Sequence, residues 1–312
     1  MWIIVLPILA SALRLATPLI FSALGGTFSE RSGVVNIALE GIMVMGAFFS
    51  ILFADVTGSP WIGVIAAILA GMLTALLLGI VSIHLQGNQV VMGTAINILA
   101  VGLTSYLLQI IYKRFGQTDA ITNALTSNPK LFAFLENIPV IGKSFFSGLT
   151  PFVYLAFFMV GLSYYVLFKT PFGLRVRAVG EHPKAADTVG VNVYKIRYIC
   201  VLISGALAGI AGASLTVGYT AIFREHMVSG KGFIALAAMV FGKWHPIGAL
   251  LACLFFGLAE ALSIQGSMLG IKIPTEFMHM LPYVATILAL IGVVGKATAP
   301  AADGQPYEKG EN

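Results

Sequence analysis

Charge is what this sequence lacks. Only 10% of its 312 residues are Asp, Glu, Lys or Arg, against 58% hydrophobic, whereas a soluble domain carries about a quarter charged residues to keep its surface wet. A water-facing globule is excluded, and much of the surface must face lipid. Cysteine is equally scarce: Cys200 and Cys253 lie far apart, each inside an apolar run. They offer neither a disulfide framework nor a metal-ligand spacing and read as small core residues. Catalytic patterns are missing as well. There is no His-Glu-x-x-His and no Gly-x-Ser-x-Gly, and none of the five histidines has a partner at ligand spacing, which leaves an intramembrane enzyme without a constellation. Gly142-Lys143-Ser144 resembles the end of a phosphate-binding loop, but Asn137 stands where the first glycine belongs and no strand precedes it. Energy from ATP would have to be captured by another chain.

What the sequence has is long apolar runs. A helix needs about 20 apolar residues to cross a core of roughly 30 Å, because its backbone groups must bond within the segment. Candidate spans are 2–24, 35–54, 61–83, 89–112, 150–168, 197–222, 231–242, 246–264 and 279–296. The predicted fold is therefore all-α, a polytopic membrane protein with about 8 to 10 crossings. Short or broken segments are included, because 231–242 is too short to cross unaided and reads as a half-helix or re-entrant piece. Residues 1–297 form one transmembrane domain, and the polar, Pro/Gly-containing tail 298–312 is expected to be disordered. The N-terminus carries no Lys or Arg before its apolar run, and Arg14 interrupts that run, so it reads as a first membrane helix rather than a cleavable signal.

The net charge of +5 does not point to nucleic acid, since the basic residues sit in short loops between spans. The loop 169–197 holds Lys169, Arg175, Arg177, Lys184, Lys195 and Arg197 against Glu181 and Asp187. That excess predicts a cytoplasmic loop, with 113–149 outside and the tail inside. Within the loop, Pro183 can open a short helix and Gly190 can close it, displaying Ala185, Ala186 and Val189 as a small apolar face suited to a groove on a partner. Small residues at helical spacing, Gly205, Ala208, Gly209, Ala211 and Gly212, predict a central helix that its neighbours approach closely. Pro18 predicts a kink one turn above the freed carbonyl of Arg14.

Polar residues inside spans are costly and mark cavities or structural bonds. Asn36 and Glu40, four apart and so on one face of a helix, are candidates for the solute path, as are Gln89 and Asn97, with Gln109 behind them. Glu40 has two other readings: a bond holding a broken helix, or an interfacial carboxylate favoured by a helix N-terminus. Interhelical hydrogen bonds account equally well for Gln89 and Asn97.

The run Phe172-Gly173-Leu174-Arg175-Val176-Arg177-Ala178-Val179-Gly180-Glu181, followed by Pro183 and Ala185-Ala186, resembles the cytoplasmic coupling loop of ABC importer permeases for branched-chain amino acids and simple sugars. Gly230-Lys231-Gly232-Phe233-Ile234-Ala235-Leu236-Ala237-Ala238 through Pro246-Ile247-Gly248-Ala249 is similar to that family's Gly-rich segment before its last helices. Arg31-Ser32-Gly33-Val34-Val35-Asn36-Ile37 with Glu40-Gly41 is most similar to the subgroup of simple-sugar permeases that includes nucleoside importers. The resemblance runs from Pro18 to Gly295.

It implies a multi-pass subunit of a bacterial plasma (inner) membrane, surrounded by lipid and carrying a small polar solute, nucleosides ahead of simple sugars. It implies a homologous second permease, a cytoplasmic ABC ATPase that uses ATP and Mg, and an extracellular or periplasmic solute-binding protein, with no cofactor held by this chain. The ATPase-coupling residues it implies are Gly173, Arg175, Arg177, Gly180, Glu181, Pro183, Ala185, Ala186 and Gly190. The rival reading is an ion-coupled secondary transporter with Glu40 as the ion site. A receptor or scaffold without solute flux is a third.

Overall fold

In the computed structural model the described residues are 2–126, 145–146, 148–265 and 298–309. Ten α-helices account for most of them: α1 Trp2–Arg31, α2 Leu39–Thr57, α3 Pro60–Gly79, α4 Gln89–Tyr112, α5 Pro151–Lys169, α6 Pro171–Glu181, α7 Pro183–Thr188, α8 Val193–Leu215, α9 Lys231–Phe241 and α10 Pro246–Gln265. Wider π-helical turns extend α3 through Ile80–His84 and α8 through Thr216–Thr220. Among the described residues there is no strand, only an isolated bridge between Gln117 and Arg224. Among the described residues seven helices are long and apolar enough to cross a membrane, and α9 is apolar but shorter. The chain is thus a multi-pass all-α membrane protein. The expected span 279–296 lies outside the described residues.

The centre is α8, packed against α1, α2 and α3. Its small residues make this possible. A Cβ on Gly205 would stand 2.5 Å from the Gly71 carbonyl, one on Gly209 2.3 Å from that of Ala67, and one on Gly212 2.2 Å from that of Met43. In lipid, where apolar burial gives helices little drive to associate, such backbone contact supplies the dispersion energy instead. Cys200 and Cys253 are fully buried, as small core residues should be. At the periphery, Ile62, Ile65, Leu69, Leu73 and Leu77 form an exposed stripe along α3. Helix α1 runs continuously through Pro7 and Pro18.

Two departures from the sequence reading concern where elements begin. The second span starts at Leu39, not 35: residues 32–38 form an irregular segment, so Asn36 and Glu40 do not share a helix face. The tail is not free. Residues 301–304 form a turn, Pro300, Ala302 and Tyr307 are buried, and the Ala302 amide donates to the Gly180 carbonyl. The tail and the α6–α7 loop therefore share one end of the molecule, as the loop charges predict, hereafter the tail end.

Candidate functional site

The irregular segment 32–38 turns back from the end of α1 and climbs between α4 and α8. Ser32 O accepts from Arg197 Nε at 3.2 Å, Val35 N donates to Gln89 Oε1 at 2.7 Å, Asn36 Nδ2 donates to Ser204 Oγ at 2.8 Å, and Ile37 O accepts from Asn97 Nδ2 at 3.0 Å. From Arg197 to Ser204, or from Gln89 to Asn97, a helix rises about 10–12 Å. Helix α2 therefore begins well inside the membrane. Its first amides are orphaned there, and Ala38 at its N-cap has no side chain to satisfy them. Asn97 supplies the cap from α4, accepting from Gly41 N at 2.7 Å. Irregular backbone at this depth is tolerated because protein, not lipid, surrounds it.

Helix α9 repeats the arrangement from the other side. Its 11 residues span about 16 Å, half a bilayer core, as the shortness of its apolar run predicts. Gly230, at φ +83°, opens it without a capping side chain. Glu40 caps it instead: Oε1 accepts from Gly230 N at 2.8 Å and Oε2 from Gly232 N at 2.7 Å. Gly232 is required, because a Cβ there would lie 2.5 Å from the Glu40 backbone. The N-termini of α2 and of the half-helix α9 thus meet around one carboxylate, where their dipoles favour negative charge. Of the three readings of Glu40, the geometry matches the bond that holds a broken helix. Each oxygen accepts from one backbone amide, which ties the carboxylate to the start of α9. Gln89 and Asn97 likewise brace backbone, Asn36 bonds the Ser204 hydroxyl, and Gln109 is exposed.

Sequence reasoning passed over three members of this neighbourhood. Lys231 at the start of α9 pairs with Glu260 of α10, and Ser204 holds Asn36. Lone charges in apolar runs were the available signal for Lys231 and Glu260. At its far end α9 stops in a turn where Lys243 and Trp244 both take left-handed backbone, φ +57° and +52°, at a cost of about 1–2 kcal/mol each. The Trp244 indole donates to Glu30 Oε2 at 2.6 Å and Arg31 Nε donates to Trp244 O at 3.0 Å, so α1 holds that turn in place.

At the tail end the loop is two helices. Thr170 caps α6, accepting from Gly173 N at 3.2 Å, and Pro171 occupies the first turn, where no amide is needed. Gly173 lets α6 fold back on α5, since a Cβ would fall 2.2 Å from the Val166 carbonyl. Gly180 does the same against Arg31, at 2.2 Å. Arg177 lies over the Phe168 ring, with Arg31 beside the same ring. His245 also packs there, and burial with the nearby Arg31 holds its imidazole below its ordinary value, hence neutral at pH 7. Helix α7 opens at Pro183 and is closed by Gly190 at φ +83°, the predicted bracket. Its apolar face is divided, however. Ala186 is buried in the core, while Arg175, Glu181, Ala185 and Val189 are exposed.

The chain's sequence resembles those of known proteins along most of its length. Residues 8–290 match the family model described as branched-chain amino acid transport system / permease component. The chain is 50% identical to the guanosine ABC transporter permease NupQ of Bacillus subtilis, covering 97% of each chain. It is 46% identical to the nucleoside ABC transporter permease NupC of Lactococcus lactis, covering 97% of this chain and 96% of that one. It is also 26% identical to a second guanosine ABC transporter permease of Bacillus subtilis, NupP, covering 91% of this chain and 82% of that one. The chain therefore belongs to the family of permease components of branched-chain amino acid transport systems.

Proposed function

We propose that this chain is one of two homologous permease subunits of an ATP-driven nucleoside importer in a bacterial plasma membrane. The observation that carries the reading is the 50% identity, end to end, with a permease named for guanosine. A second permease of the same organism named for the same solute, only 26% identical to this chain, supports pairing of two unlike subunits. An ATPase binding ATP and Mg would hold α6 and α7, and an extracellular binding protein would deliver the solute. This chain itself would hydrolyse nothing.

The meeting of α9 with the start of α2 supplies a mechanical rationale. Force applied at α7 passes through α6 to the end of α1, and α1 holds the turn that ends α9. A tilt of α9 would shift Gly230 against Glu40 and so move the start of α2. ATP is useful only if it binds one arrangement better than the other, because a ligand shifts an equilibrium by its differential affinity alone.

The test is uptake by proteoliposomes holding this chain, a NupP-like permease, the ATPase and the binding protein. Guanosine uptake that requires internal ATP supports the reading. Solute movement of a branched-chain amino acid or glucose, with guanosine excluded, contradicts the nucleoside assignment.

A further inference from the structure

The C-terminal segment touches every element at the base of the coupling helices. The Ala302 amide donates to Gly180 O at 2.9 Å and the Ala301 amide to Glu181 Oε2 at 3.2 Å, both at the end of α6. Arg197 Nη1 donates to Gln305 O at 3.0 Å and Tyr194 Oη to Tyr307 O at 3.1 Å, both from the first turns of α8. The rings of Tyr194 and Tyr307 pack 5.6 Å apart, and Tyr307 is 6% exposed. Gly33, just past α1, is also in place: a Cβ there would meet Ala302 O at 3.0 Å and Arg197 Nη2 at 2.9 Å.

Arg197 decides how much this matters. It is 1% exposed, the largest fully buried side chain among the described residues. Of its partners, Ser32 O belongs to the loop after α1 and Gln305 O to the tail. A buried guanidinium that loses a partner costs more than an ordinary hydrogen bond. The tail is therefore part of what makes the buried Arg197 tolerable, and it is not an appendage resting on the surface.

We propose that residues 300–308 are a working part of the coupling apparatus: a strap that ties the end of α6 to the start of α8, so that α6, α7 and α8 move as one body when an ATPase grips α7. The strap supports the docking face and does not mask it. With the strap in place, Lys184, Ala185, Thr188 and Val189 stay exposed, and an open cleft of about 560 Å³ remains between the strap and Pro183–Ala185. A strap built to occlude would cover those residues. Without it, the joint between α6 and α8 would rest on their direct packing, on α7 and on the 189–192 turn, with no hydrogen bonds from the tail to brace it, and force on α7 would be absorbed more readily by bending there.

This inference rests on the importer reading but is testable apart from it. In the purified chain, deletion of 298–312, or the double variant Ala302→Pro with Tyr307→Ala should the deletion not accumulate, should speed amide exchange across 181–190 by about tenfold. Unchanged exchange in both would overturn the strap, whatever the complex does. In the reconstituted transporter the same variants should still bind the ATPase and hydrolyse ATP, while solute moved per ATP falls by about tenfold. A ratio equal to that of the parent would overturn the coupling role. A parent complex that moves no solute counts against the importer reading, and the exchange result still judges the strap.

Discussion

Ala185 and Ala186 are neighbours in sequence with opposite surroundings. Ala186 is 4% exposed within the main core cluster, and Ala185 faces outward. A bulky residue at 186 should cost roughly 1–3 kcal/mol by overpacking and lower the thermal midpoint. Ala185→Trp should leave that midpoint alone and cut ATP-driven uptake; a parent-like uptake would remove Ala185 from the docking face. The motif was legible because proline and glycine are local signals. Which alanine points inward was not, because that depends on how α6 seats against α1. Glu40 is legible only as an anomaly, an acid in an apolar run. The Glu40→Gln variant keeps one acceptor but turns an amide donor toward a backbone N–H, a loss of roughly 1–3 kcal/mol. Its expected signature in melting experiments is lower stability with slowed uptake that stays ATP-dependent. A variant as stable as the parent would mean that the α9 cap is dispensable.

At the scale of elements, the glycine spacing in α8 was enough to place that helix at the centre. The same contacts predict the effect of Gly205→Ala: its Cβ would sit 2.5 Å from the Gly71 carbonyl, so α3 and α8 must separate, at about 2 kcal/mol or more. A melting midpoint unchanged by that substitution would mean the helices pack otherwise. The start of α2 was not legible. Val34 through Leu39 reads as continuous with the helix, and the break is imposed by Gln89, Asn97 and Ser204, which lie far along the chain. The strap was hidden for the same reason: a small polar tail has no affinity of its own, and Gly180, Tyr194 and Arg197 supply it. Asp303 gives the strap a pH dependence. Burial lifts its carboxyl to about 7; the Gly304 amide and Arg197 pull the other way. A group whose docked pKa is raised favours docking when protonated. Docking should therefore be tightest at acid pH and weaken as pH rises through about 7. Relative to the intrinsic rate at each pH, protection of the amides across 181–190 should fall over that range in the parent and stay level in Asp303→Asn; level protection in the parent would mean that Asp303 does not titrate there.

For the whole molecule, composition alone dictated a multi-pass helical protein, since too few charges exist to clothe a soluble one. The sequence motifs placed it among importer permeases. What neither could reveal is the joint where the N-termini of α2 and the half-helix α9, capped by side chains from elsewhere, meet around Glu40 while α6, α7 and the tail close on the ends of α1 and α8. The proposed function makes that arrangement a lever and not an ion site, and the distinction can be measured. Proteoliposomes with the complete complex should take up guanosine only with internal ATP and should continue when proton and sodium gradients are collapsed. Uptake indifferent to ATP that stops when the gradients are removed would contradict the account.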